Sequence, residues 1–485
     1  MVYIDIDALR PDHLGCYGYH RATSPNIDAL ASEAMVLDRC YTSDSPCLPS
    51  RTALFSGRFG LHTGVVNNGG PTGRLRDGEW EGLVSLPAVL SRAGYHTVTF
   101  TTFAQRHHAW FFYAGWDEIH KHCNGNGMET ADQVNTAVLP WLRSNTDRDR
   151  FFLHINYWDP HTPYRTPTAF GEPFANAAPP DWPTDEAIIG HRQSYGPFSA
   201  QDLPVRRGAY PRQPSANSIA TRDDFRKYID GYDTGICYAD AHVGQVLAEL
   251  QRSPLWAETA VIISADHGEN QGELNIYGDH RTADHPTCHV PLIVHWPGVT
   301  HSGHNDRLVY QLDLSPTICE LLGISSPGRW DGRSFTSALR GTTFSGRPYL
   351  VFGHGASSCQ RAVLCDDWLL IRTYHDGYHP FPPVMLFNLR QDVYETCSQT
   401  IARPEVVDRL SRLMEEWWQA EVSQVECGPD PLLEVLQQGG PLHVRHLLPD
   451  YLGHLRDTGR AWAADALVAR QRAGRTVTEG EARAP

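Results

Sequence analysis

The chain of 485 residues contains no long apolar run. That excludes a membrane-spanning helix, which needs about 20 consecutive apolar residues. It also lacks a basic segment followed by a short apolar core, the pattern of an export leader. Met1 instead leads straight into the apolar segment Val2–Ile6. None of the 11 cysteines forms a C-x-x-C pair, which argues against a zinc ribbon. No N-x-[ST] glycosylation acceptor occurs, and no internal repeat is visible. Together these absences lead us to expect a reduced, cytoplasmic protein with scattered core thiols. Positive charge is in deficit as well. The net charge of −15 argues against nucleic acid or an anionic membrane as the main partner. An anionic substrate would have to be drawn in by local arginine, histidine or metal.

What is present reads as a large α/β enzyme. Apolar residues make up 41% and charged residues 20%, ordinary for a globular protein. A chain this long buries a large core without disulfides. Strand-like runs at Val2–Ile6, 97–101, Phe151–Tyr157, 259–264 and 290–295 alternate with helical patterns. Ser24-Pro25 is expected to cap one helix, and others start near Pro49 and Pro87 and around Tyr228. This alternation implies a mostly parallel sheet with helices on both faces, spanning residues 1–340. Residues 164–221, rich in proline and alanine, are expected to form an insertion or lid. Residues 341–425 read as a smaller α+β subdomain, an antiparallel sheet with one helix. Residues 426–485 read as an extension, disordered from about Arg470.

The sharpest local signal is Cys47-Leu48-Pro49-Ser50-Arg51, followed by Leu54 and Ser56-Gly57-Arg58. Cys47 is expected just before a helix, with Pro49 near its first position. A helix start offers free N–H groups and a positive dipole end, a place for sulfate or phosphate. Arg51 adds a fixed charge one turn in. Taken alone, the segment is equally compatible with a buried cysteine in a capped helix.

The same segment resembles the signature of the sulfatase family, C-x-P-S-R followed by L-x-[TS]-G-R, at every fixed position. In that family the cysteine is oxidised after translation to formylglycine. Further segments resemble family landmarks in the right order: Asp7 to Gly18, Asp159-Pro160-His161-Thr162-Pro163-Tyr164, Ser264 to Glu269, Val290-Pro291-Leu292-Ile293, and Leu386-Phe387-Asn388-Leu389 with Asp392 and Glu395. The likeness spans roughly residues 2 to 420. It implies the alkaline phosphatase-like fold, one divalent metal at Asp7, Cys47, Asp266 and His267, and a maturation enzyme as partner. It implies Cys47, Arg51, His161 and His280 as the catalytic set, with Arg51 and His280 holding sulfate oxygens and His161 protonating the leaving group.

The metal site also follows from the residues themselves. Asp7 and Asp266 end two strands, at the sheet edge where ligands of open α/β folds collect. Carboxylates suit Ca²⁺ first, then Mg²⁺ or Mn²⁺, and His267 softens the set. Two departures from the family pattern stand out. Ala8 replaces a second aspartate, and His267 replaces a common asparagine. Asp5, two residues before Asp7 on the same strand face, either substitutes for the missing carboxylate or is a partnered strand-edge charge. The family's G-K-W-H stretch is also missing; Thr101-Thr102-Phe103-Ala104 stands there instead. Thr102, Arg106 and His107 are therefore the candidate substrate-binding residues. The aromatics Trp110, Phe111, Phe112, Tyr113 and Trp116 read as either a sugar platform or core.

The expected reaction is hydrolysis of the sulfate ester of a small molecule or sugar. The alternatives are a phosphonate monoester or phosphodiester hydrolase on the same site, or an inactive relative that only binds sulfated glycans.

Overall fold

The structure is a computed structural model describing residues 1–76, 84–121, 127–145, 147–204, 218–424 and 429–481. Its centre is an eight-stranded sheet. In chain order the strands are β1 (Val2–Ile6), β2 (Met35–Leu37), β3 (His96–Phe100), β4 (Glu118–His120), β5 (Phe151–Tyr157), β6 (Val261–Ser264), β7 (Leu292–His295) and β8 (Gly303–Asn305). Their spatial order is β8-β2-β7-β6-β1-β5-β3-β4. Ile4 at the middle of β1 lies opposite Ile155 of β5 and Ile263 of β6, both in parallel register. Every residue of β1 is buried, so both faces of the sheet are covered at its centre.

The expectation of parallel strands holds except at β7, which runs antiparallel to β6 and β2. The chain between β6 and β7 contains a short hairpin, Asn270–Gln271 with Tyr277–Asp279, and only single helical turns at Glu273–Asn275 and His285–Cys288, so it makes no helical crossover. A parallel return would need one; an antiparallel return does not.

Helices α1 (Pro25–Ala31), α2 (Cys47–Ser56), α3 (Ala131–Ser144), α4 (Arg222–Arg252) and α5 (Leu314–Leu321) pack on this sheet. Ser24 stands at the start of α1 but does not cap it. Its hydroxyl accepts from the Gly15 N–H and donates to Asp28. Asp240 on α4 takes the capping role, accepting from the N–H groups of Asn26 and Ile27. A carboxylate from a neighbouring helix thereby joins two helices while satisfying α1's free donors.

The second sheet has five strands. Four are β9 (Leu350–His354), β10 (Cys359–Cys365), β11 (Trp368–His375) and β12 (Val384–Asn388), all antiparallel neighbours. The fifth is Asp44–Ser45, paired in parallel with Gly353 and His354. The second sheet thus grips the chain two residues before Cys47. Helix α6 (Pro404–Val422) packs on it through Leu410 and Met414.

The extension departs from expectation. Its described residues form α7 (Pro431–Gln437), α8 (Leu448–Asp457) and α9 (Ala461–Glu481). Ala463, Ala464 and Leu467 are buried against Leu455, Tyr195 and Tyr378. Arg470 donates to Asp376 at 2.6 Å and to the His379 carbonyl at 2.7 Å. These packed residues precede Arg470, from which the sequence predicts disorder. The insertion carries one helix, Asp185–Arg192, and buries Phe174 and Tyr195; its residues 205–217 lie outside the described stretch. Among the described residues no helix is long and apolar enough to cross a membrane.

Candidate active site

Cys47 is the first residue of α2, so the helix begins earlier than expected: Pro46 stands at the cap and Pro49 lies inside the first turn. The next N–H, of Leu48, donates to the Asn68 side chain at 3.1 Å. Cys47 is buried, and its sulfur lies 3.1 Å from Nε2 of His267. Burial, reinforced by Asp7 and Asp266, pushes the thiol well above its ordinary value. An unmodified Cys47 is therefore a protonated thiol and a poor nucleophile.

Asp7 follows β1 and Asp266 follows β6, adjacent parallel strands whose ends bring the two carboxylates together. Ligand atoms of Asp7, Cys47, Asp266 and His267 all lie within 4.8 Å of one another. A fit to a cation can be tested here. Oδ1 of Asp7 is buried and has no hydrogen-bond partner. The Nδ1 of His267 lies 2.8 Å from the Gly268 carbonyl, which can only accept, so Nε2 of the neutral ring carries the free lone pair. An orphaned carboxylate oxygen, a second carboxylate and a bare imidazole nitrogen suit a divalent ion.

The structure decides the two readings of Asp5. Its Oδ2 accepts from Arg51 Nε at 2.6 Å and faces His154 at 3.4 Å, and Asp5 lies outside the metal cluster. It is a partnered charge, held below its ordinary value chiefly by Arg51 against the opposing effect of burial. Arg51 has a further set of partners. Besides Asp5, its Nη1 bonds Asp7 at 3.0 Å and Asp266 at 2.6 Å. The rings of Phe103 and Trp158 lie 4.7 and 5.8 Å from the guanidinium. Three carboxylates and two rings hold Arg51, so it orders the acidic cluster; only Nη2 is left without a partner.

His161, His267 and His280 form a triangle, with ring centres 4.0 Å apart for His267–His280 and 5.2 Å for His161–His280. The sequence expected His161 to titrate near neutrality. Burial, with Arg106 and Arg165 nearby, pushes it well below that range instead. Its Nδ1 hydrogen-bonds the Thr162 carbonyl, which fixes the proton on that nitrogen. Its Nε2 is then bare, 4.0 Å from Oδ1 of Asp7. His280 is also pushed down, by burial and then His267, but its Nδ1 has no partner.

The three substrate-binding candidates separate. Thr102 accepts from the Gly127 N–H at 3.1 Å, a structural bond. His107 cannot supply charge: burial and then Arg106 lower it to about 3. Arg106 remains. Its guanidinium lies over the Trp158 ring at 5.3 Å and forms no hydrogen bond with the described residues. Of the aromatic run, Phe111, Phe112 and Trp116 are core, while Trp110 is exposed. Asn68, Trp158 and His354 escaped the sequence reading. Asn68 sits in the Asn67-Asn68-Gly69-Gly70 cluster, a turn signal with no chemistry attached. His354 comes from β9 and bonds Ser45 at 2.9 Å. Glu269, raised to about 8 mainly by burial, accepts from the Tyr164 hydroxyl at 2.7 Å and braces the loop that carries His161.

A sulfatase family model matches residues 1–324. The chain belongs to the sulfatase family. A second model, of the N-sulphoglucosamine sulphohydrolase C-terminal region, matches residues 272–419. Iduronate 2-sulfatase of Mus musculus is 26% identical over 402 residues, covering 69% of this chain and 70% of its own. Delta 4,5-hexuronate-2-O-sulfatase of Bacteroides thetaiotaomicron is 26% identical over 371 residues, covering 72% and 73%. A solved protein in complex with its substrate D-glucosamine-2-N,6-O-disulfate has the same fold, with TM-score 0.70 at 17% identity over 86% of this chain and 97% of that one. The phosphonate monoester hydrolase of Silicibacter pomeroyi also shares it, with TM-score 0.68 at 20% identity over 87% and 95%. As a sulfatase, the chain is a sulfuric ester hydrolase.

Proposed function

We propose that the protein hydrolyses a sulfate ester of a sugar or other small molecule with formylglycine at position 47 and one divalent metal at Asp7, Asp266, His267 and residue 47. The observation that carries this is the convergence of those four residues around a buried thiol with an orphaned Asp7 oxygen beside it. Ca²⁺ suits the carboxylates best, and Mg²⁺ or Mn²⁺ is admissible with His267. The metal supplies Lewis acidity and screens the sulfate charge. Formylglycine supplies, as its hydrate, one hydroxyl to attack sulfur and a second that lets the product depart.

The chain's own residues do the rest. Nε2 of His267, beside residue 47, is the nitrogen that would hold the metal. Arg51 aligns Asp7 and Asp266 through its ion pairs with both. Arg106 is the cation left open to nonbridging oxygens. His280 rather than His161 is placed to hydrogen-bond the leaving oxygen, because His161 spends its ring proton on Thr162. A formylglycine-generating enzyme is the partner this needs. A cytoplasmic setting belongs to the same reading, supported by nine described cysteines that are all free thiols.

Hydrolysis of a phosphonate monoester or phosphodiester is a second reading, favoured by His267 at the position after the metal aspartate. Protein made alongside a maturation enzyme decides between them. Peptide mass spectrometry should find the aldehyde at residue 47. Aryl sulfate should then turn over faster than an aryl phosphodiester. Full activity with unmodified Cys47 would end the proposal.

A further inference from the structure

The chain beyond residue 419 lies outside both matched family stretches, and three of its residues converge on one carboxylate of the insertion. That carboxylate is Asp202, whose side chain is only 3% exposed. Arg460 donates to its two oxygens at 2.9 and 2.5 Å. The Tyr451 hydroxyl donates at 2.9 Å, and His454 Nε2 donates at 2.8 Å. The Tyr451 hydroxyl also accepts from the Gly196 N–H at 2.8 Å. Both ends of the turn from Gly196 to Asp202 are thereby fastened to α8 and to the residue before α9.

This turn needs fastening. Phe198 has φ +66°, a left-handed conformation that a bulky side chain rarely adopts. Such a conformation persists only where its surroundings impose it. Here the Phe198 N–H donates to the Asp202 carbonyl at 3.1 Å, and the Asp202 N–H donates to the Ser199 carbonyl at 2.9 Å. Phe198 in turn holds the strand that leads to His280. Its carbonyl accepts from the Tyr277 N–H at 2.9 Å. Its ring lies 5.1 Å from the Arg281 guanidinium, which pairs with Asp279 at 2.8 Å. Asp279 accepts from the His280 N–H at 2.9 Å, and the same oxygen stands 3.7 Å from the ring Nδ1. Phe198 therefore grips the chain on both sides of His280, at 277 and at 281. Every link from Arg460 to His280 is a hydrogen bond, an ion pair or a ring contact.

We propose that Asp202 is a positioning residue: clamped by the extension, it fixes the turn that sets the orientation of His280 toward the leaving oxygen. The proposal rests on the hydrolase reading above, in which His280 makes that hydrogen bond. A small misplacement of a proton donor slows a leaving group that needs the proton far more than one that does not.

The test uses full-length, formylglycine-bearing enzyme with 4-nitrophenyl sulfate and monosulfated sugars. In Asp202→Ala, kcat for the best sugar sulfate should fall about tenfold relative to kcat for the aryl sulfate, with KM little changed. Arg460→Ala, which opens the clamp from the other side, should shift the ratio the same way. Asp202→Asn keeps two of the carboxylate's acceptor sites and should recover part of it. Met414→Ala, which loosens α6 on the second sheet, controls for destabilisation: it should lower the melting temperature and leave the ratio alone. In a His280→Ala background, Asp202→Ala should shift the ratio no further. An unchanged ratio in folded Asp202→Ala or Arg460→Ala, or a shift that persists without His280, overturns the role of Asp202 while leaving the hydrolase reading standing. Wild-type enzyme that releases sulfate from neither class of ester overturns both.

Discussion

The sulfur of Cys47 and Nε2 of His267 are 3.1 Å apart, and the carbonyl of Gly268 on the far side of the ring sets which nitrogen is bare. This geometry ties the nucleophile position to a metal-ligating imidazole through one defined tautomer. His267→Ala should raise the metal concentration needed for half-maximal activity by about 10–100-fold. His267→Asn places the family's common residue there and should restore much of that affinity. Metal titration of activity, with bound metal measured by mass spectrometry, separates the outcomes. Equal metal affinity in wild type and His267→Ala would remove His267 from the site.

Arg51 is the single cation bonded to Asp5, Asp7 and Asp266 among the described residues. Removing one partner of a buried ionic cluster leaves the others uncompensated. Arg51→Ala should therefore lose about 3–5 kcal/mol of stability. A divalent cation offsets the same carboxylates, so adding it should raise the melting temperature of Arg51→Ala more than that of wild type. If the two rise equally, the carboxylates next to Arg51 are not the ones that hold the metal.

These two clusters show what a sequence conveys and what it withholds. Asp7, Asp266 and Cys47 were legible because each is punctuated locally, by a strand end or a helix start. The alternating pattern likewise disclosed the central sheet. Side-chain direction was not legible. Arg51 one turn into α2 reads equally well as an anion ligand and as an anchor, and only the arrival of Asp5 from β1 decides it. The pKa of His161 depends on Arg106 and Arg165, neither adjacent to it in the chain.

A third prediction concerns pH and the seam between the two sheets' domains. His62 donates from Nδ1 to Asp331 at 2.7 Å and from Nε2 to the Glu421 carbonyl at 3.1 Å, tying the end of α6 to the loop at 331. Asp331 also accepts from the Phe59 N–H. With both nitrogens donating, the ring is an imidazolium, and the Asp331 hydrogen bond and charge raise His62 above its ordinary 6.5 despite burial. Glu421 is also raised, by burial and then Asp331. A group raised in the folded state contributes stability that is full below its unfolded value and fades as pH rises through the folded one. His62→Gln should thus cost more melting temperature at about pH 6 than at about pH 8.5, where the wild-type clasp has lost its proton. A difference that grows toward alkaline pH would contradict the clasp.

The last prediction assigns the leaving-group proton. Both His161 and His280 lie against His267, and proximity alone does not choose between them. The hydrogen bonds do. Nδ1 of His161 is committed to the Thr162 carbonyl, so the nitrogen turned toward Asp7 offers a lone pair. His280 makes no such carbonyl bond: its Nδ1 has no hydrogen-bond partner, which leaves its ring proton uncommitted. Protonation matters for a poor leaving group such as a sugar alkoxide and hardly at all for a nitrophenolate. His280→Ala should therefore slow alkyl and sugar sulfates by about 10²–10⁴-fold while slowing nitrophenyl sulfate much less. His161→Ala should slow both classes by similar factors, because a ring that only accepts serves binding and alignment. Rates for an alkyl and an aryl sulfate with each variant decide the matter. If His161→Ala shows the steeper dependence on the leaving group, Thr162 does not hold the ring proton during turnover and the two histidines exchange roles.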